Sequence, residues 1–216
     1  MSQGYKWVNA NAAWDLVELL NNCKKVGCKW VFKTKRDAKG NIERFKTRLV
    51  AKDFTQKEGI DYKETFSPVS KKDSLRIIMA FIAHYDLELH QMDVKTAFLN
   101  GNLDDNIYME QPEGFTKEGK EHLGCQLKKF IYGLKQTSRQ WYITFNDTIT
   151  TFGFKENTVD QCIYLKVKGS KLIFLVLYMD DILLASSNLG LLHETKCILP
   201  SALRWLIWVR HPMSLA

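Results

Sequence analysis

The chain has 216 residues, 45% of them hydrophobic and 25% charged, which suits one domain or two small ones with a sizeable core. A net charge of +7 leans toward polyanionic partners, and five cysteines without a repeated spacing exclude a disulfide framework; Cys23 and Cys28 also lack the paired Cys or His partners of a zinc site. No apolar run reaches the roughly 18 residues of a membrane span, and the start, Met1 to Trp7, has no signal-peptide core, so an intracellular protein with reduced thiols and no membrane partner is expected.

Residues 5–20 predict a short helix with Trp7, Trp14, Leu16, Val17 and Leu20 as apolar points. Gly27 breaks the chain before Trp30-Val31-Phe32-Lys33-Thr34-Lys35, a strand by its β-branched and aromatic content. Asp37 to Asn41 is turn chemistry, and Arg44 to Phe54 reads as the return strand. Between Lys24 and Arg76 stand 16 Lys or Arg against 7 Asp or Glu. Such a hairpin is either a solvated face or a patch for phosphates. A loop over Gly59 to Pro68 follows. Ser70 with Asp73 resembles a capping box that starts a helix carrying Leu75, Ile77, Ile78, Phe81, Ile82 and Tyr85.

Leu87 to Val94 reads as a strand, with Leu87, Leu89, Gln91 and Asp93 on one face and His90, Met92 and Val94 on the other. A lone Asp93 would be a helix N-cap, which is compatible with a further role. His90 reads as a packed or surface histidine. Gln111 to Phe115 is a turn, Thr116 to His122 a charged loop, and Cys125 to Ile131 a short strand or linker into Tyr132-Gly133-Leu134-Lys135-Gln136. A helix from Ser138 to Thr151 ends at Gly153. Cys162 to Leu165 and Leu172 to Met179 are strands about a turn at Lys168-Gly169-Ser170, Ile182 to Ala185 closes the sheet, and Leu191 to Leu199 starts another helix.

The central stretch is Leu172 to Ala185. Eight apolar or aromatic residues run into Asp180-Asp181, and four apolar residues follow. The pair predicts a hairpin with carboxylates at its tip. A solvated turn is the ordinary reading of Asp-Asp, but two acids between apolar strands repel each other unless a cation neutralises both. Hard carboxylate oxygens suit magnesium or manganese.

Tyr178-Met179-Asp180-Asp181 resembles the active-site hairpin of reverse transcriptases. With Trp30 to Lys35, Arg48-Leu49-Val50-Ala51-Lys52, Gln91 to Gly101 and Tyr132 to Gln136, the chain resembles the polymerase domain of copia-type retrotransposons over roughly Gly27 to Lys196. The resemblance implies an α+β fold: a palm with an antiparallel sheet and packed helices, plus a fingers β-hairpin. It implies an RNA-directed DNA polymerase, a nucleotidyltransferase in which Asp93, Asp180 and Asp181 are catalytic and hold two Mg2+ ions, with Mn2+ as a substitute. Partners would be an RNA or DNA template-primer and deoxynucleoside triphosphates.

By the same resemblance, Lys35, Arg36, Arg48, Val94, Phe98, Tyr132 and Gly133 would bind the nucleotide. Phe98 would lie under its sugar and reject a 2′-hydroxyl, the alternative being an ordinary core Phe. Tyr178 and Met179 would contact the primer. A location in the cytoplasm, in a virus-like particle, or in the nucleus is expected. The segment 1–26 reads as a shortened extension and 27–199 as the polymerase domain. Pro200 to Ala216 has no acidic residue, carries two tryptophans and resembles nothing in the family. It reads as a truncation followed by out-of-frame sequence, disordered because Pro200 and Pro212 interrupt any helix. An inactive remnant that only holds nucleic acid and a DNA-templated palm polymerase are the alternatives.

Overall fold

The structure, a computed structural model, describes residues 13–19, 23–59, 62–94, 103, 106–116, 118–179, 181–203 and 207–209. In chain order its elements are β1 (Trp14–Val17), β2 (Lys25–Val26), β3 (Cys28–Arg36), β4 (Ile42–Ala51), a 3-10 turn (Asp53–Thr55), α1 (Lys72–His84), β5 (Glu88–Val94), β6 (Tyr108–Met109) and β7 (Gly124–Leu127). There follow α2 (Thr137–Thr151), β8 (Lys155–Glu156), β9 (Ile163–Lys168), β10 (Lys171–Tyr178), β11 (Asp181–Ser186), α3 (Leu189–Leu203) and β12 (Ile207–Val209). Helices and mostly antiparallel sheets in separate runs make the fold α+β. Among the described residues no helix is long and apolar enough to cross a membrane.

The chain forms two compact units that alternate along the sequence: Met1–Thr65 with Phe98–Ser138, and Phe66–Ala97 with Arg139–Ala216. The first unit holds a four-stranded sheet in the order β1-β7-β6-β2 and the separate β3–β4 hairpin. Its core gathers Val26, Leu49, Ala51, Met109, Cys125 and Leu127. Trp14–Val17 is thus a strand paired with Gly124–Leu127, not part of a helix. The poor helical spacing there left the segment to be decided by its partner strand. The turn of the β3–β4 hairpin is closed by Asp37, whose carboxylate accepts from the backbone N–H groups of Lys39 and Asn41. Those donors hold its pKa below the ordinary range, the Asn41 amide first.

The second unit holds a six-stranded sheet in the order β12-β5-β11-β10-β9-β8. Apolar alternation gives the sheet two covered faces. On one, Leu89, Val176, Ala185 and Ile163 pack with Ile78 and Ile82 of α1. On the other, Tyr164 lies under Phe145 of α2, ring centroids 5.8 Å apart, with Leu192 and Leu199 of α3 also buried.

The start of α1 differs from the capping-box expectation. Its N-cap is Lys71, without a side-chain cap. Asp160 supplies the anion instead, accepting from Lys71 N–H at 2.9 Å and Cys162 N–H at 3.0 Å, and Ser70 Oγ turns to it at 3.5 Å. Asp73 pairs with Arg76 on the surface.

The C-terminal end also differs. Pro200 lies inside α3 rather than ending it. It costs the helix the hydrogen bond to the Lys196 carbonyl, but sits in the last turn, where Ser201 Oγ donates to Ile198 O at 2.8 Å. Beyond it, Ile207–Val209 pairs antiparallel with Val94, Asp93 and Met92 of β5. That part of the segment expected to be disordered is therefore a strand of the sheet.

Candidate active site

Asp93 and Asp181 sit directly opposite each other on neighbouring antiparallel strands. Opposite residues point to the same face, with Cβ atoms about 5 Å apart. Counting back from this pair, Gln91 faces Leu183 and Leu89 faces Ala185. The last two belong to the core beneath α1. The carboxylates thus stand at the end of an apolar stripe, and both are only half-buried. Tyr178 faces Asp181 across the hairpin, which places Met179 at its tip. Met179 has φ +57° and is 71% exposed. A non-glycine residue in this left-handed region costs about 1 kcal/mol, a strain that clusters at functional sites.

Asp180 and Phe98 lie outside the described residues. Among the described residues no three His, Cys, Asp or Glu side chains converge. Val94 is buried and is paired with Ile207 of β12.

The remaining predicted residues lie in the first unit. Cross-strand pairing puts Lys33 opposite Lys46, Lys35 opposite Arg44, and Val31 opposite Arg48, all on one face of the hairpin. The other face carries Trp30, Phe32, Phe45 and Leu49. Lys35 and Arg48 share the basic face. Arg36 follows Lys35 across a register shift, points the other way by alternation, and donates to Gly40 O at 2.8 Å in the turn. Lys33, Arg44 and Lys46 joined this face without having been singled out. Counting alternate positions back from Lys35 and Arg48 was the signal that could have found them.

Tyr132 bridges Val50, and its carbonyl accepts from Ala51 N–H at 2.7 Å. Gly133 has φ +88°, and a Cβ there would stand 2.3 Å from Ala51 O. The close approach that this glycine permits is to the backbone of β4.

A protein-family model described as "Reverse transcriptase (RNA-dependent DNA polymerase)" matches residues 11–205. The chain belongs to this family. The match extends beyond the expected 27–199 on both sides. Among curated relatives, the Retrovirus-related Pol polyprotein from transposon TNT 1-94 of Nicotiana tabacum is 45% identical over 91% of this chain and 15% of its own length. The Retrovirus-related Pol polyprotein from transposon RE1 of Arabidopsis thaliana is 39% identical over 86% of this chain and 13% of its own. The chain therefore spans about one seventh of these relatives. A structure of telomerase from Candida albicans with a fragment of telomeric RNA aligns over 98% of this chain and 46% of its own, at TM-score 0.46 and 10% identity. The chain is a copia-type reverse transcriptase domain.

Proposed function

We propose that the chain is the fingers and palm of an RNA-directed DNA polymerase that extends a primer on an RNA or DNA template. The observation that carries the reading is the register of Asp93 opposite Asp181, with Asp180 the preceding residue in the sequence. Two half-buried carboxylates on one face, with a third acid adjacent in sequence, form a hard-oxygen donor set that fits divalent magnesium or manganese. Asp93 and Asp180 would be shared ligands, and Asp181 would complete the set. When bound, two such ions supply activation of the 3′-hydroxyl and neutralisation of the leaving pyrophosphate.

The residues of the chain hold and orient. Lys35 and Arg48 supply cations for the triphosphate and template backbone, whereas Arg36 is directed to Gly40 O in the turn. Val94, Phe98, Tyr132 and Gly133 bound the nucleotide, with Phe98 clashing with a 2′-hydroxyl. Tyr178 and Met179 contact the primer end. The basic hairpin face supports a second reading, a remnant that holds nucleic acid without extending it.

Primer extension on an RNA template with Mg2+ tests both. The full chain should add deoxynucleotides, and Asp93→Asn and Asp181→Asn should each slow extension by about 100-fold or more while leaving oligonucleotide affinity unchanged. Binding without extension by the unaltered chain would favour the second reading. Full activity in either variant would remove the carboxylate assignment.

A further inference from the structure

Among the ionisable groups that the second unit buries is one on the strand of Asp93 that polymerisation does not use. His90 is 6% exposed, on β5 three residues before Asp93 and on the opposite face of the sheet. Both of its ring nitrogens are engaged. Lys196 Nζ of α3 lies 2.8 Å from Nδ1, and Glu88 Oε1 lies 3.3 Å from Nε2. An ammonium has only hydrogens to give, so Nδ1 must accept, and Nε2 carries the proton donated to Glu88. The chain from Lys196 through His90 to Glu88 therefore needs a neutral ring in one tautomer.

This contact joins two elements that matter to the carboxylates. β5 carries Asp93, and α3 continues the arm that begins with Asp181 on β11. We propose that His90 is a positioning residue for the Asp93–Asp181 pair: its neutral ring locks α3 to β5, and protonation of the ring releases the lock. The consequence for the carboxylates rests on the polymerase reading; the lock itself does not.

Protonation would turn the Nδ1 acceptor into a donor aimed at an ammonium and set two cations 2.8 Å apart. Burial first, then the Lys196 ammonium, hold the ring's pKa below the ordinary 6.5, against the upward pull of Glu88. His193 of α3, its ring centroid 6.4 Å away, adds a further unfavourable charge when protonated. β11 brings Leu184 opposite His90, flanked by Ile182 and Ser186, so among the described residues it adds no charge. With the folded pKa below the unfolded one, the lock's contribution is fully present above about pH 6.5 and is lost as pH falls through the folded value.

The test uses the full chain and His90→Gln. The glutamine amide offers one acceptor and donors like the neutral ring, but does not titrate. Amide hydrogen exchange is measured at about pH 7.5 and about pH 5, as protection corrected for the intrinsic rate. The unaltered chain should lose about tenfold protection in β5 and α3 at the lower pH, with α1 and β9 unchanged, whereas His90→Gln should lose less than about twofold. Mn2+ binding, followed by paramagnetic resonance, should weaken about tenfold more at low pH in the unaltered chain than in His90→Gln. A second variant, Lys196→Met, removes the other half of the lock and should show low protection in β5 and α3 at both pH values, with a smaller pH-dependent loss than the unaltered chain.

Equal losses in His90→Gln, or a loss spread evenly over α1 and β9, would overturn the lock. A local loss of protection with matching Mn2+ profiles would overturn the positioning role. If neither protein binds Mn2+ at any pH, the two-metal reading falls and the positioning role falls with it, while the exchange data still decide the lock.

Discussion

The guanidinium of Arg48 lies over the ring of Tyr132, 5.2 Å from its centroid. The contact is a cation–π pair within the first unit, worth about 1 kcal/mol or more when desolvated. The bridge between Val50 and Tyr132 sets its geometry by drawing the turn against β4. Gly133 makes that bridge possible.

Gly133→Ala should therefore be costly. The alanine would have to adopt φ +88° and put its Cβ 2.3 Å from Ala51 O. Urea denaturation should show a loss of about 3 kcal/mol or more. A loss below about 1 kcal/mol would mean that the turn can separate from β4 at little cost.

The two faces of the hairpin make opposite forecasts for charge reversal. Lys33→Glu and Arg44→Glu alter the cationic face. Each should weaken binding of a single-stranded oligonucleotide and reduce the salt slope by about one. Arg36→Glu alters a side chain directed to Gly40 O and should leave the slope nearly unchanged. Affinities measured at several salt concentrations decide this, and equal slopes for all three variants would make the facing of the hairpin irrelevant to binding.

The cysteines should separate by reactivity. Burial pushes the thiol of Cys28 up to about 11 and those of Cys125 and Cys162 up to about 12, whereas Cys197 is exposed. Since the thiolate is the nucleophile, iodoacetamide near neutral pH should modify Cys197 and spare Cys125 and Cys162. Peptide mass spectrometry reads the pattern. A raised folded pKa favours the thiol, so the associated stability is present below the unfolded value of 9.0 and is lost as pH rises through the folded values. Rapid labelling of Cys125 in the folded chain would show that the first unit opens readily.

Truncation after Leu203 should have more effect than the tail's composition suggests. It removes Ile207–Val209 and leaves the outer edge of Met92, Asp93 and Val94 unpaired. An unpaired edge recruits other chains. Light scattering should show concentration-dependent association, and thermal unfolding should show a stability loss of about 1 kcal/mol or more. Unchanged behaviour would mean that the strand is dispensable.

The parts legible in sequence were those in which one local rule governs several residues. Alternation assigned both faces of β5, and the apolar run around Asp180-Asp181 defined the hairpin that brings Asp181 opposite Asp93. The resemblance grouped Lys35, Arg36 and Arg48 as nucleotide contacts, a grouping that ignores the two-residue period of a strand, which sends Arg36 to the other side. β2, β6 and β8 are two residues long and exist only through their partners, so no local pattern announces them. The anion at the start of α1 comes from Asp160, far along the chain, where a capping motif looks only three residues ahead. Pro200 was overruled by position: in a last turn a missing N–H costs one bond rather than a helix.

The alternation of the two units along the chain sets an order for biosynthesis. The first unit is interrupted after Thr65 and resumes at Phe98, so its sheet cannot close until β7 has left the ribosome. The second begins with α1 and β5, yet the partner of Asp93 arrives only with β11 and the other neighbour of β5 only with β12. During synthesis β5 therefore waits with both edges open while a whole segment of the first unit is translated. Pairings this distant in sequence form slowly, and a waiting strand is exposed to aggregation. A nascent chain arrested between β5 and β11 would carry one carboxylate of the pair and a strand in need of a neighbour, the state in which a holding chaperone would be of most use.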